Sequence, residues 1–520
     1  MLLLVVPADR ALASRPNFVV IQTDDQSAAS VRAKFRGQVG GFRQVMPHAV
    51  RQILQRGTEF RNYYATSPVC SPSRASLLSG QYSWNHGVES NLGADGGWTG
   101  WLNHRVYRHN LAVTLNRRGY RTSHFGKFTN GYYDEENNRV DLTVPPGWDH
   151  WVTTAYRPGI RNYGYELNVN GRPVGPVGDP DYRQGGPGID PATCDLRPLG
   201  SVWPAGRCRY LGDVMSAAAV REIRRAHRKP FYLQIDYQVP HSDIAPPVGP
   251  QPATRYLGAA SRTRLPRPPS FNERDFSDKP AFIRDLASDP LDRSDVRRLK
   301  GAYRRYLESL SSVDDGIGAI LRTLRQTGQL RRTYVFLLSD HGLFLGEHRY
   351  DWGKFMPYEE SASPLMAVRG PGGPRGRVSR ELVGNLDIPV TIMRLAGARP
   401  DFPVDGRSLR PYWRRPGLRS ARPVAITIDS RVESEGASAS ARAPALRYRG
   451  FRMGRYKYVA YDFGGEELYD LATDPHELEN RVGSPRYGIA LSYMRRHLDE
   501  VTGCIGASCR EQLPPVPKPG

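Results

Sequence analysis

The chain has 520 residues, more than one hydrophobic core usually organises, so a large domain with a smaller companion is expected. Apolar residues make up 39%, ordinary for a globular protein, and no stretch approaches the roughly 20 apolar residues that span a membrane, so no membrane span is expected. The formal charge of +21 comes mainly from scattered arginine. It reads as general surface composition compatible with polyanionic substrates; without a nucleic-acid-binding motif in its fold context, nucleic acid is set aside as a partner.

In chain order, Leu2–Val6 is apolar and Ala11-Leu12-Ala13 resembles a small-residue cleavage site, so residues 1–15 are read as a signal-peptide remnant. Asn17 to Thr23 is a continuous run of the kind a buried parallel strand shows, and it ends in Asp24 and Asp25. Pro47 to Arg56 reads as a helix stopped by Gly57, and Thr58 to Ala65 as a strand. Ser71 as N-cap and Pro72 at the first helical position predict a short helix ending near Gly80, with Cys70 as the last extended residue before it. A helix over Leu111–Arg118 precedes a strand over Tyr120–Phe125 that runs into Lys127. The region from Pro145 to Pro247 carries a hairpin signal at Asn170-Gly171 and is expected to form insertions over the site. Within it, a helix over Asp213–Arg228 precedes a strand over Phe231–Tyr237 that ends near His241.

Thr263 to Arg298 reads as surface loop with short helices. Tyr303 to Leu324 keeps a helical period, and Thr333 to Leu338 is a strand ending at Asp340-His341. This alternation predicts an α/β fold, a doubly wound, mostly parallel sheet flanked by helices, whose ligands bind beyond the carboxyl ends of the strands. From about Pro411 the character changes to antiparallel strands and a helix over Ile489–Val501, a smaller α+β unit. The expected division is therefore residues 16–410 for the catalytic domain and 411–520 for the C-terminal subdomain.

The five cysteines sort by spacing. Cys194 with Cys208, and Cys504 with Cys509, are close enough for two local disulfides, which leaves Cys70 unpaired and suggests an oxidising, exported setting. Cys70 faces the positive end of a helix dipole with Arg74 one turn on, an environment for a reactive group handling an anion. Asp24, Asp25 and Asp340 are hard oxygen donors of the kind that Ca²⁺ prefers, with Mg²⁺ as the alternative; His341 is a softer donor.

The Cys70-x-Pro72-Ser73-Arg74 stretch followed by Leu78-x-Gly80 resembles the signature of the type I sulfatases, members of the alkaline phosphatase superfamily. Thr23-Asp24-Asp25, Gly126-Lys127-Phe128, Pro240-His241, Ser339-Asp340-His341-Gly342 and Lys354 occur in that family's order, and the likeness is greatest to its N-acetylglucosamine-6-sulfatase-like branch. The resemblance implies an alkaline-phosphatase-like fold and hydrolysis of a sulfated carbohydrate or aryl sulfate. It implies that Cys70 is oxidised to formylglycine by a maturation enzyme and that Asp24, Asp25, Asp340, His341 and the modified Cys70 hold Ca²⁺. Arg74 and Lys127 would neutralise the sulfate, and His241 and Lys354 would serve the leaving oxygen. His86, Asn91 and His348 are candidate substrate-pocket residues. The chain departs from many family members in having His341 in place of Asn and Thr129 in place of His. Two other readings stand beside this one: a phosphoester or phosphonate hydrolase of the same superfamily, and a non-catalytic glycan-binding relative.

Overall fold

A computed structural model of the chain describes residues 15–36, 42–134, 139–154, 162–177, 210–226, 229–243, 249–287, 289–431 and 445–520. Ten strands form the main sheet: β1 (Asn17–Thr23), β2 (Thr58–Tyr64), β3 (Arg121–Gly126), β4 (His150–Thr154), β5 (Tyr165–Val169), β6 (Arg172–Val177), β7 (Phe231–Asp236), β8 (Thr333–Ser339), β9 (Met366–Arg369) and β10 (Arg377–Gly384). Their spatial order is β6-β5-β4-β3-β7-β1-β8-β9-β2-β10. The five central strands from β4 to β8 are parallel, with Val19 of β1 opposite Leu233 on one side and Val335 on the other.

β1 is apolar throughout because both its faces are covered. Val19 and Ile21 pack into one layer with helices α3 (Leu211–Arg225) and α4 (Arg293–Gln326). Phe18 and Val20 pack into the opposite layer with α1 (Cys70–Ser79), α2 (Leu111–Arg117) and α5 (Asp387–Ala396). The expected doubly wound α/β fold is the one observed.

A second, antiparallel sheet holds β11 (Val424–Arg431), β12 (Ala445–Met453), β13 (Tyr456–Tyr461) and β14 (Glu466–Asp470) in sequential order. Helix α6 (Gly488–Thr502) lays Leu491, Met494 and Leu498 against Phe451 and Tyr458 of this sheet. Ile426 and Tyr448 share a core with Val69, Phe344 and Tyr358, so the sheet is packed against the segments that flank the site. Lys457, fully buried, pairs with Glu477 at 2.5 Å and Glu359 at 3.0 Å and seals this contact.

Four expectations need correction. The helix at Cys70 starts two residues earlier than its Ser-Pro signal: Val69 is the flanking residue, no side chain caps it, and Cys70 lies in the first turn. Ser71 does not cap because its hydroxyl is engaged with Thr129 and its N–H is taken by Asn91. Pro47–Arg56 is not a regular helix but a π turn over Ala49–Ile53 followed by a 3₁₀ turn. The hairpin of the Pro145–Pro247 region extends the sheet edge as β5 and β6. Finally, α4 begins at Arg293, ten residues before the apolar period shows, because a capping box of Asp292 and Asp295 starts it. Cys504 and Cys509 form a disulfide and Cys70 is free, whereas Cys194 and Cys208 lie outside the described residues.

Candidate active site

Four parallel strands deliver polar residues to one end of the sheet. Asp24 and Asp25 leave β1, Lys127 leaves β3, His241 follows β7, and Asp340 and His341 leave β8. Helix α1 brings Cys70 and Arg74, and the loop after β8 returns Lys354 to the same place. All of these residues are buried. Asp25 takes a left-handed backbone, φ 69°, at the strand-to-loop bend, a conformation that costs energy in a residue with a side chain.

The Cys70 sulfur is the focus. Lys354 Nζ lies 3.3 Å from it, His341 Nε2 3.4 Å, and Asp24 Oδ1 3.9 Å. Arg74 spans the floor of the cluster. It donates through Nη2 to Asp24 Oδ2 at 3.0 Å, through Nε to Asp340 Oδ2 at 3.1 Å, and through Nη1 to the Lys127 carbonyl at 2.8 Å. Lys127 Nζ meets Asp24 Oδ2 at 2.5 Å as a charge contact without the alignment of a hydrogen bond. Lys354 donates to Asp25 Oδ1 at 3.0 Å, and His241 Nε2 is 3.9 Å from Asp25 Oδ2.

This charge density shifts protonation. Burial opposes ionisation of the Cys70 thiol, but the ammonium groups of Lys127 and Lys354 more than offset it and lower the pKa to about 6. Burial likewise works against the Asp24 carboxylate, yet Lys127, His241 and Arg74 hold it well below the usual range. His341 loses solvation on burial, and Asp340 reverses the effect and raises it to about 9.

The donor set fits a divalent cation. Ligand atoms of Asp24, Cys70, Asp340 and His341 lie within 4.8 Å of one another, as do those of Asp24, Asp25 and His241. Asp25 Oδ2 is buried with no hydrogen-bond partner among the described residues, the condition of a carboxylate oxygen reserved for another ligand. Three carboxylates suit a hard ion.

The pocket candidates are placed as follows. Asn91 Oδ1 accepts the Ser71 N–H at 3.0 Å, next to Cys70. His86 has both ring nitrogens engaged, with Ser76 Oγ at 3.0 Å and the Val88 N–H at 3.1 Å, and burial lowers its pKa to about 3. His348 stacks on Tyr358 and bonds Glu273 at 2.6 Å; burial opposes its charge, but Glu273 and Glu360 raise it to about 10. The structure thus joins Asn91 to the site helix and engages His86 and His348 with other groups.

Two residues beside the cluster are absent from the sequence-based set. Asp236, the last residue of β7, accepts from His124 Nε2 at 2.9 Å and lies 4.0 Å from Arg74 Nη1. Its place at a strand end was the available signal. His124, inside β3, carried none. What the arrangement can do is hold a compact anion: Arg74, Lys127 and Lys354 converge on a reactive position beside a carboxylate set able to take a cation.

The family described as Sulfatase matches residues 16–398, and the N-sulphoglucosamine sulphohydrolase C-terminal family matches residues 346–503. An arylsulfatase of Volvox carteri is 31% identical over 537 residues, covering 95% of this chain and 76% of its own length. The N-acetylglucosamine-6-sulfatase of Homo sapiens is 28% identical over 538 residues, covering 97% of this chain and 87% of its own. A solved structure of a protein in complex with its substrate D-glucosamine-2-N,6-O-disulfate has a TM-score of 0.71, covers 95% of this chain and 98% of its own, and is 21% identical, a likeness of fold.

Proposed function

Because this chain belongs to the sulfatase family and is a sulfuric ester hydrolase, we propose that its substrate is a sulfated carbohydrate and that Cys70, converted to formylglycine, is its nucleophile. The observation that carries this reading is the seating of Cys70 Sγ between Lys354, His341 and Asp24, above the Arg74 guanidinium. The hydrated aldehyde of formylglycine supplies a hydroxyl nucleophile and a second hydroxyl through which sulfate is released, which a thiol does not offer. Ca²⁺, with Mg²⁺ as the alternative, would be held by Asp24, Asp25, Asp340 and His341 together with the converted Cys70, and it supplies Lewis acidity toward the sulfate oxygens.

The remaining roles belong to the chain's own side chains. Arg74 and Lys127 neutralise charge on the sulfate and on the nucleophile. Arg74 also fixes Asp24 and Asp340 relative to Cys70 through its bonds to both. Lys354, in contact with the Cys70 sulfur, and His241 hold protons for the departing sugar oxygen. His241 Nδ1 lies 2.8 Å from the Ser242 carbonyl, so that nitrogen carries the hydrogen and Nε2 is the one turned toward Asp25. Burial of the cluster excludes bulk water and strengthens each of these interactions.

No helix among the described residues is long and apolar enough to cross a membrane. The Cys504–Cys509 disulfide supports an exported location, and the Cys70-x-Pro72-Ser73-Arg74 stretch supports dependence on a maturation enzyme.

Mass spectrometry of the peptide spanning Asn62 to Arg74, from a host able to mature such cysteines, tests the nucleophile. Loss of the sulfur with gain of an aldehyde oxygen is expected, followed by sulfate release from glucosamine-6-sulfate substrates that a chelator abolishes and Ca²⁺ restores. An unmodified thiol in active protein from that host would overturn the reading.

A further inference from the structure

The face beside the loop that delivers Lys354 carries a second feature. A cleft of about 810 Å³ opens between the segment from Arg267 to Arg274 and the first turns of α4. Phe271, Val296 and the buried Leu291 give it an apolar floor, and Arg267 lies over the Phe271 ring at 5.3 Å. Around that floor stand Arg267, Arg274, Arg293, Arg297 and Lys300, all exposed and none in an ion pair among the described residues. Asp292 is the acid that lines the cleft, and its carboxylate is spent on the backbone N–H groups of Ser294 and Asp295 at the start of α4. By contrast Arg298, one position from the rim, is neutralised by Asp295 and Asp351. The rim therefore sets five positive charges, none of them paired with a partner among the described residues, against the single carboxylate of Asp292.

The cleft is continuous with the site's own scaffold. Asn272 N–H donates to the Gly346 carbonyl at 2.7 Å, His348 N–H donates to the Ser270 carbonyl at 2.7 Å, and Phe271 pairs with Glu347 as an isolated bridge. The segment so gripped runs from His341 to Lys354, closed on itself by the pairing of Phe344 with Gly353.

We propose that this cleft is a glycan-binding exosite that grips a sulfated polysaccharide chain at sugars other than the one being hydrolysed. An apolar floor ringed by guanidinium groups suits this ligand, because sugar rings offer apolar faces and sulfates offer oxygen pairs for arginine forks. Multiple charge contacts along a polyanion release counterions, so affinity falls with salt. The site raises the local concentration of polymeric substrate beside the catalytic cluster without altering the chemical step. The assignment rests on the sulfated-carbohydrate reading for its purpose and on the cleft alone for its binding.

The test uses the full chain with Arg293→Ala, Arg297→Ala and Lys300→Ala combined, three exposed positions remote from the core. Binding to heparin, to unsulfated dextran and to duplex DNA is measured by titration at several salt concentrations, independently of turnover. Expected are heparin binding weakened by about tenfold or more with a shallower salt slope, and no dextran binding by either form. For active enzyme, KM for a sulfated polymer should rise with kcat unchanged, while a monosaccharide sulfate keeps both constants. Unchanged heparin binding in the folded triple variant would overturn the exosite, and so would equally tight, equally cleft-dependent binding of DNA. Heparin binding that depends on the cleft in a protein hydrolysing no sulfate ester would retain the exosite and remove the catalytic reading.

Discussion

Lys354 touches both the Cys70 sulfur and Asp25, and the two contacts imply different tasks. If it donates the proton to the leaving oxygen, its loss falls hardest on substrates whose leaving group is a poor one. Lys354→Ala should slow a sugar sulfate, which leaves as an alkoxide, by roughly 10²–10⁴-fold, and slow 4-nitrophenyl sulfate far less. Comparing kcat for the two substrates decides it: equal losses would restrict Lys354 to holding Asp25. Residues of this kind were legible because lysine is rare in the sequence and each candidate follows a strand or the site loop. His124 was not, because its partnership with Asp236 depends on cross-strand register. That register in turn depends on Gly126, whose φ of +116° and position opposite Asp236 leave no room for a side chain: a Cβ would lie 2.0 Å from the Asp236 carbonyl. No residue-by-residue reading of β3 reaches that contact.

At the scale of elements, α4 does more than cover the sheet. Asp314 in its middle accepts the N–H groups of His48 and Ala49 at 2.8 and 2.7 Å, and so starts the irregular helix of residues 47–56. The apolar spacing of that segment was readable; a cap arriving from 266 residues away was not. Burial dominates Asp314 and raises its pKa to about 7 despite these bonds. An unfolded aspartate titrates near ~4, so between those values the folded form holds the proton more tightly. Its contribution to stability is therefore present below about pH 4 and is lost as pH rises toward 7. Asp314→Asn cannot ionise, and its denaturant midpoint should fall less than the parent's between about pH 4.5 and 7.5, even if its stability is lower throughout. Parallel declines in the two proteins would show that Asp314 does not titrate in this range.

The whole molecule is two layers of core around one sheet, with the antiparallel sheet locked on by shared aromatics and Lys457. That architecture was legible because strands buried on both faces must be apolar without alternation, as Phe18–Ile21 is. The edge strands β5 and β6 were misplaced because a hairpin signal says nothing of which sheet it joins. Near the C-terminus, the Cys504 carbonyl accepts from Trp84 Nε1 at 3.0 Å and Asn85 Nδ2 at 2.9 Å, which ties the last segment behind α1. The disulfide there joins cysteines only five positions apart in the sequence. Replacing both cysteines by serine should cost at most about 2 kcal/mol of unfolding free energy and leave activity intact, measured by denaturant titration with the parent alongside. Complete unfolding of the variant would mean that the bridge, rather than the surrounding cluster of Tyr82, Leu498 and Val501, holds this region.

The position of β1 has a consequence in time. Phe18 is paired in register between Tyr232 and Tyr334, so an early-made strand sits between two strands made much later. On a ribosome, residues 17–23 and the Cys70 helix emerge long before either neighbour exists, and the central ladder cannot close until residue 339 has cleared the exit tunnel. Through that interval Cys70, fully buried in the finished protein, stands in an open chain. On the proposed formylglycine reading, the modifying enzyme works against the clock of translation, and a chain that folded before meeting it would seal the Cys70 thiol away unconverted.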